Sequence, residues 1–148
     1  SFADGMDYIV IANDDIILFN TTLKRLLQAA SENPDGVVTF TGDNAFSLFA
    51  LSKQAWKTVG AFDEEFYPAY FEDQDYQRRI VMHKVPLVQI PRPAYYHLGS
   101  KTINSFTPAG LEIHHSQFRR NEAYYTYKWG GLPGDEQYTE PFDGKSSF

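Results

Sequence analysis

Asp7-Tyr8-Ile9-Val10-Ile11-Ala12-Asn13-Asp14-Asp15 is the stretch whose reading decides the fold. Tyr8 to Asn13 is an almost unbroken apolar run. It fits a strand covered on both faces, as in a parallel sheet. The run stops abruptly at Asn13, Asp14 and Asp15. Open α/β sheets place their ligands at the C-terminal ends of such strands. Two neighbouring carboxylates repel each other unless a cation or cationic partner sits between them. Hard oxygen donors suit Mg²⁺ or Mn²⁺. The plainer reading is a turn, because Asn and Asp are common turn and helix-cap residues. The segment by itself leaves both readings open.

Outward from this stretch, the pattern alternates strands and helices. Thr21-Thr22 has the character of an N-cap before Leu23, Leu26, Leu27 and Ala30, which recur at helical spacing. Pro34 and Asp35-Gly36 end that helix near Glu32-Asn33. Val37 to Phe40 reads as a second strand and Ala45 to Leu51 as a third, joined by a hairpin-like Thr41-Gly42-Asp43-Asn44. Ser52 caps a short helix through Trp56 and Val59 that Gly60 ends. Tyr70 to Val81 is a helix with three acids in its first turn and two arginines later, an order that complements the helix dipole. Pro86 to Ile90 and Ala94 to His97 read as further strands, before the loop Leu98 to Thr102. A long aromatic-rich helix starts near Ala109 and runs to Tyr127 or Lys128, stopped by Gly130-Gly131. Asp135 to Phe148 has no clear period and is expected on the domain surface.

At 148 residues the chain is one domain or a large part of one. Its net charge of −6 argues against a nucleic-acid backbone as partner. Without cysteine there is no disulfide framework and no thiolate zinc site. No segment has the ~18 apolar residues of a membrane span, and no secretory leader is visible. These absences lead to an expectation of a cytoplasmic protein. Aromatic residues make up 16% of the chain, enough to build a core or to offer platforms for sugar rings, and composition does not choose between the two.

Glu72-Asp73-Gln74-Asp75 is a second acidic cluster. At a helix N-terminus such carboxylates can simply satisfy free backbone N–H groups. One that faces a pocket can instead act as a general base on an acceptor hydroxyl. Glu72 and Asp75 are three apart and share a face, with Asp73 pointing elsewhere. His114 and His115 are about 100° apart on a helix, so they do not face one metal together. His83 at a helix end is a favourable cation. His97 lies at a strand end and can ligate a metal beside Asp15 or merely be hydrogen-bonded. Ser100, Lys101 and Thr102 can hold phosphate oxygens, although the glycine spacing of a P-loop is absent.

Taken in order, the apolar strand ending Asn13-Asp14-Asp15, Gly60-Ala61-Phe62-Asp63-Glu64, Phe71-Glu72-Asp73-Gln74-Asp75 with Arg78-Arg79, and His97-Leu98-Gly99-Ser100 resemble the second half of a family-2 glycosyltransferase of the GT-A fold. The rhamnosyl- and galactosyltransferase-like members are the most similar. The likeness covers Tyr8 to Ser100 well and the remainder loosely. It implies an α/β protein with a partial GT-A fold, a mixed sheet flanked by helices. Residues 1–108 would form the metal and acceptor half of the catalytic core, and residues 109–148 a C-terminal helix and tail packed on the same domain.

The resemblance also implies roles. Asn13-Asp14-Asp15 stands where the family has its Asp-X-Asp motif, with Asn at the first position. Asp15 is then the main ligand of Mn²⁺ or Mg²⁺, His97 joins it, and Asn13 and Asp14 lie on the donor side. Asp73 matches the catalytic base and Glu72 orients it or contacts the acceptor. Gly60 and Asp63 match the acceptor loop, and Arg78 and Arg79 the basic residues near the diphosphate. The implied reaction is metal-dependent, inverting transfer from a nucleotide-diphosphate sugar to a hydroxyl of a carbohydrate or glycan acceptor.

The family's first strand-helix-strand unit, which holds the nucleotide base, is expected to be missing, since only Ser1 to Asp7 precede the Tyr8 strand. That departure leaves three further expectations: a chain incomplete or inactive alone, a homo-oligomer that covers the cut sheet edge, and a non-catalytic carbohydrate-binding or structural module on a truncated scaffold.

Overall fold

The computed structural model describes residues 5–42, 45–91, 95–98 and 107–145. It is a mixed α/β structure that divides into two compact units, each built from two pieces of chain. The first is Ser1–Ala61 with His83–Lys101, and the second is Phe62–Met82 with Thr102–Phe148.

The first unit is a mixed sheet flanked by helices. Its strands are β1 (Tyr8–Ala12), β3 (Val37–Phe40), β4 (Leu48–Ser52) and β5 (Leu87–Ile90), in the order β1-β4-β3-β5. β3 and β5 are parallel, whereas β4 is antiparallel to both β1 and β3. Helices α1 (Thr22–Glu32) and α2 (Lys53–Val59) pack against β4. β3 and β4 are buried along their whole length, as central strands should be. Leu26, Ala29 and Ala30 of α1 meet Val38, Phe40, Leu48 and Ala50 of the sheet in one core cluster. Their i, i+3, i+4 spacing in α1 is what puts them on one face.

The organising strand differs from its reading in sequence. β1 is an edge strand antiparallel to β4, with Tyr8 opposite Ser52 and Ala12 opposite Leu48. Val10 is 38% exposed and Ala12 also faces solvent, so β1 is not covered on both faces. An apolar run of this length does not distinguish a central strand from an edge strand whose second face is only partly covered. Two smaller differences have local causes. Ala45 to Ser47 is a 3₁₀ turn that leads into β4 rather than part of it. Thr21 makes no side-chain cap; instead Thr22 Oγ1 accepts from Phe19 N–H at 2.9 Å. Asp43 and Asn44, in the expected hairpin connection, lie outside the described residues.

A two-stranded antiparallel ribbon completes this unit: β2 (Ile16–Leu18) pairs with β6 (Tyr95–His97), with Ile16 opposite His97. The short helix α2 follows its sequence signals closely. Ser52 Oγ accepts from Ala55 N–H at 3.0 Å, and Gly60 ends the helix at φ 86°. Ser52→Ala should cost about 1 kcal/mol of stability, the usual loss of an N-cap, as a lower urea midpoint at unchanged slope.

The second unit consists of α3 (Glu72–Met82) and α4 (Pro108–Trp129), with a 3₁₀ turn at Glu64–Phe66. Its core is aromatic: Phe66, Phe71, Tyr125 and Trp129 are buried, with Tyr70, Phe118 and Tyr124 packed on them. Many of the aromatic residues conspicuous in the composition are therefore core. Thr107 Oγ1 caps α4 through Gly110 N–H, and Gly130 stops it in the left-handed region at φ 74°. The following chain folds back on the helix end, where Trp129 O accepts from the N–H of Gln137 and Tyr138. A Cβ at Gly130 would lie 2.8 Å from the Tyr138 ring, so glycine is required there twice over. Among the described residues no helix is long and apolar enough to cross a membrane.

Candidate functional site

In the first unit, β1 ends at Ala12 and Asn13-Asp14-Asp15 turns the chain into β2. Asn13 N–H donates to Ser47 O at 2.9 Å, which ties the start of this turn to the main sheet. The β2–β6 ladder then brings His97 beside it, and Leu98 N–H donates to Asp15 O at 2.8 Å. As a result His97 Nε2 stands 3.1 Å from Asp15 Oδ1. The separation is that of an ion pair, but Asp15 Oδ1 is buried and takes part in no hydrogen bond. The alignment therefore lacks the directionality of a hydrogen bond even though the distance is short. Asp14 is exposed at the surface of the turn.

A buried carboxylate oxygen without a hydrogen bond is costly unless something else satisfies it. A divalent ion is a natural occupant. Two neighbouring ligands of an octahedral cation with bonds of about 2.1 Å lie about 3.0 Å apart, close to the Asp15–His97 separation. An imidazole beside a carboxylate suits a first-row transition ion better than Mg²⁺. Among the described residues no group of three or more His, Cys, Asp or Glu side chains is placed to hold a metal. Asp15 and His97 would supply only part of a cation's coordination sphere. Ser100 and Lys101 lie outside the described residues. Gly60, in the same unit, closes α2.

In the second unit, α3 begins at the acidic cluster. Glu72 lines a cleft of about 430 Å³ with Phe62, Asp63, Phe66, Tyr67 and Pro68. Burial pushes the Glu72 carboxyl above its ordinary range, against backbone hydrogen bonds and with the help of the neighbouring Asp73 charge. Burial also raises Asp73, outweighing the hydrogen bond that Oδ1 accepts from Gln74 N–H at 2.8 Å. A carboxyl raised by burial is a better proton acceptor when ionised than an exposed one. The residues before the helix are strained: Tyr70 and Phe71 have φ of 78° and 72°. Such conformations cost of order 1–3 kcal/mol each in bulky residues and persist only where the surroundings enforce them.

Asp63, Arg78 and Arg79 are engaged by their own unit. Burial alone would raise the Asp63 carboxyl, but Lys128 Nζ at 2.6 Å, Glu65 N–H and the Tyr124 hydroxyl together hold it below the usual range. Arg78 donates to Tyr138 O at 2.9 Å and lies over the Trp129 ring. Arg79 Nε donates to Asp75 Oδ2 at 2.9 Å. Asp75, which the sequence did not single out for a role, is the centre of this region. It is fully buried and takes Lys128 Nζ at 2.6 Å, Trp129 Nε1 at 3.0 Å and Arg79 on its two oxygens. The acidic cluster thus divides its work along α3: Glu72 and Asp73 remain near the cleft end, and Asp75 anchors α4.

The structure therefore brings Asp15 and His97 together beside Asn13 and Asp14 in the first unit. In the second it puts Glu72 and Asp63 on one cleft, with Asp73 next to Glu72 in the first turn of α3. The sequence assigned no site role to Lys128, Trp129 or Asn121. The only signal for Asn121 was its residue type, since Asn is a poor helix former and here sits well inside α4.

Over a 34-residue stretch the chain is 62% identical to a galactofuranosyl glycosyltransferase of Leishmania donovani. That stretch is 23% of this chain and 8% of the length of that protein, so the likeness is one of a segment. No family model and no solved structure matches the chain.

Proposed function

We propose that the chain is a glycosyltransferase-like protein that moves a sugar from a nucleotide-diphosphate donor to a hydroxyl of a carbohydrate acceptor, with a family-2, GT-A type of site. Galactofuranose is the first donor sugar to try, given the segment shared with a galactofuranosyl glycosyltransferase. The observation that carries the reading is the Asp15–His97 pair at the turn after β1, a partly exposed carboxylate whose buried Oδ1 stands 3.1 Å from the imidazole with no hydrogen bond between them.

Asp15 and His97 would hold Mn²⁺, or Mg²⁺ less well. When bound, such an ion neutralises the charge that builds on the diphosphate as the anomeric bond breaks. The residues do the rest. Asn13 and Asp14 border the donor side of the turn. Asp73 takes the proton from the attacking hydroxyl, and its partial burial raises its proton affinity for that purpose. Glu72, lining the cleft, orients the acceptor or Asp73 itself. Attack in one step on the face opposite the diphosphate inverts the anomeric centre. The setting proposed for this reaction is the cytoplasm.

Calorimetric titration of Mn²⁺ with a nucleoside diphosphate tests the donor half. Saturable binding in the wild type should fall at least about tenfold in Asp15→Ala and His97→Ala, the scale of losing one of few ligands. Equal affinity in wild type and both variants would remove the metal from the proposal.

A further inference from the structure

Asn121 lies in the middle of α4, fully buried, with its side chain turned toward the segment that leads into α3. Nδ2 donates to Phe66 O and Ala69 O at 2.7 Å each, and approaches Tyr70 O at 3.3 Å. Three carbonyl oxygens can only accept, so the amide nitrogen must face them. The other end of the same amide, Oδ1, is buried without a hydrogen bond. An apolar side chain would avoid that unsatisfied acceptor, so packing alone is a poor account of the residue. What the amide does is gather three carbonyls that repel one another. The turn so gathered contains the left-handed Tyr70 and Phe71, and the next residues are Glu72 and Asp73. Tyr70 has a second tether, its hydroxyl lying 2.7 Å from His114 Nε2.

We infer that Asn121 is a positioning residue: it locks the Phe66–Phe71 turn in the left-handed form that sets where the carboxylates of Glu72 and Asp73 stand. The inference rests on the functional reading above in its effect on turnover, but its structural content can be read without activity. In Asn121→Ala, and to a smaller degree in Asn121→Ser with its single donor, the carbonyls separate and the turn relaxes toward ordinary backbone angles. The two carboxylates then move into water.

The test joins two readouts. In donor turnover, Asn121→Ala should lose roughly 10- to 100-fold in kcat, the scale of misplacing a reacting group by about 1 Å, with donor affinity unchanged. Independently, carboxyl titrations followed by NMR should show Glu72 and Asp73 above the ordinary range in the wild type, as burial dictates. The Asp73 charge is the titratable neighbour that bears on Glu72, and Glu72 in turn raises the Tyr70 hydroxyl. In Asn121→Ala the two should fall back to ordinary values, and in Asn121→Ser part of the way, while Asp63, held by Lys128 and Tyr124, stays below its usual range. Unchanged Glu72 and Asp73 would overturn the inference, and so would an Asp63 that moves with them, since that reports general loosening. If the wild type neither binds nor turns over any sugar nucleotide, the functional reading fails and the titrations still decide this one. Should neither variant fold, hydrogen exchange of the Asn121 side-chain amide in the wild type takes their place. Protection is expected, and exchange at the rate of a free amide overturns the assignment.

Discussion

Asp73→Asn is expected to lower the rate of sugar transfer by about 10²–10⁴-fold, the usual worth of general-base assistance. The fold should survive. Asp73 is only partly buried, and its carboxylate accepts from Gln74 N–H at 2.8 Å and from its own backbone N–H, roles an amide oxygen can still fill. Donor binding should be unaffected, because the substitution leaves Asp15 and His97 intact. The pattern to look for is a fall in kcat and kcat/KM together at constant donor affinity, which marks an interaction made in the transition state. A variant with full turnover would move the base to Glu72. That residue also has a raised carboxyl, and it lines the cleft directly.

The largest effect on stability is expected at Asp75. Removing it as Asp75→Ala takes the acceptor from the Trp129 indole N–H, breaks the ion pair with Arg79 and strips Lys128 of one of two carboxylates. Breaking a buried ion pair from one side typically costs about 3–5 kcal/mol, because the partner charge stays buried without compensation. Urea denaturation should show a loss of that size. The reciprocal change, Lys128→Met, should act through pH. Asp63 is held below its ordinary value in the folded state largely by Lys128, so the folded protein binds fewer protons than the unfolded chain in the acid range. It thereby contributes stability above the ordinary aspartate range that is lost as pH falls through the lowered folded value. In Lys128→Met that acid limb should flatten, as seen in urea midpoints measured through the acid range.

How much of this was legible in the sequence depends on the range of the interaction. Local signals held. Ser52 and Gly60 bracket α2, the acid-then-base order of Glu72 to Arg79 marks α3, and Gly130 ends α4. Each is set by backbone groups within a turn or so of the residue that reveals it. Strand partnership was not legible, because Tyr8 to Ala12 carries the same apolar signal at an antiparallel edge as it would in a parallel centre. The β2–β6 ribbon was also hidden. Ile16-Ile17-Leu18-Phe19 shows no apolar–polar alternation, yet this pairing is what sets His97 beside Asp15.

The Asp15–His97 pairing was one of two open readings of a histidine at a strand end, and the family resemblance alone favoured it. The anchoring of Asp75 by Lys128 and Trp129 had no sequence signal at all. Its members come from separate helices and meet only through the fold. The same holds for Asn121, whose three carbonyl partners lie on the far side of α3 in sequence.

The central claim is that this chain uses a sugar nucleotide, and the most direct measurement is release of nucleoside diphosphate from a panel of nucleotide-diphosphate sugars, UDP-galactofuranose among them. The panel is run with and without Mn²⁺ in the presence of mixed oligosaccharide acceptors. The account predicts release from at least one donor that requires the metal, is removed by a chelator, and is lost in both Asp15→Ala and Asp73→Asn. Folded protein that releases and binds no nucleoside diphosphate from any member of the panel would contradict it.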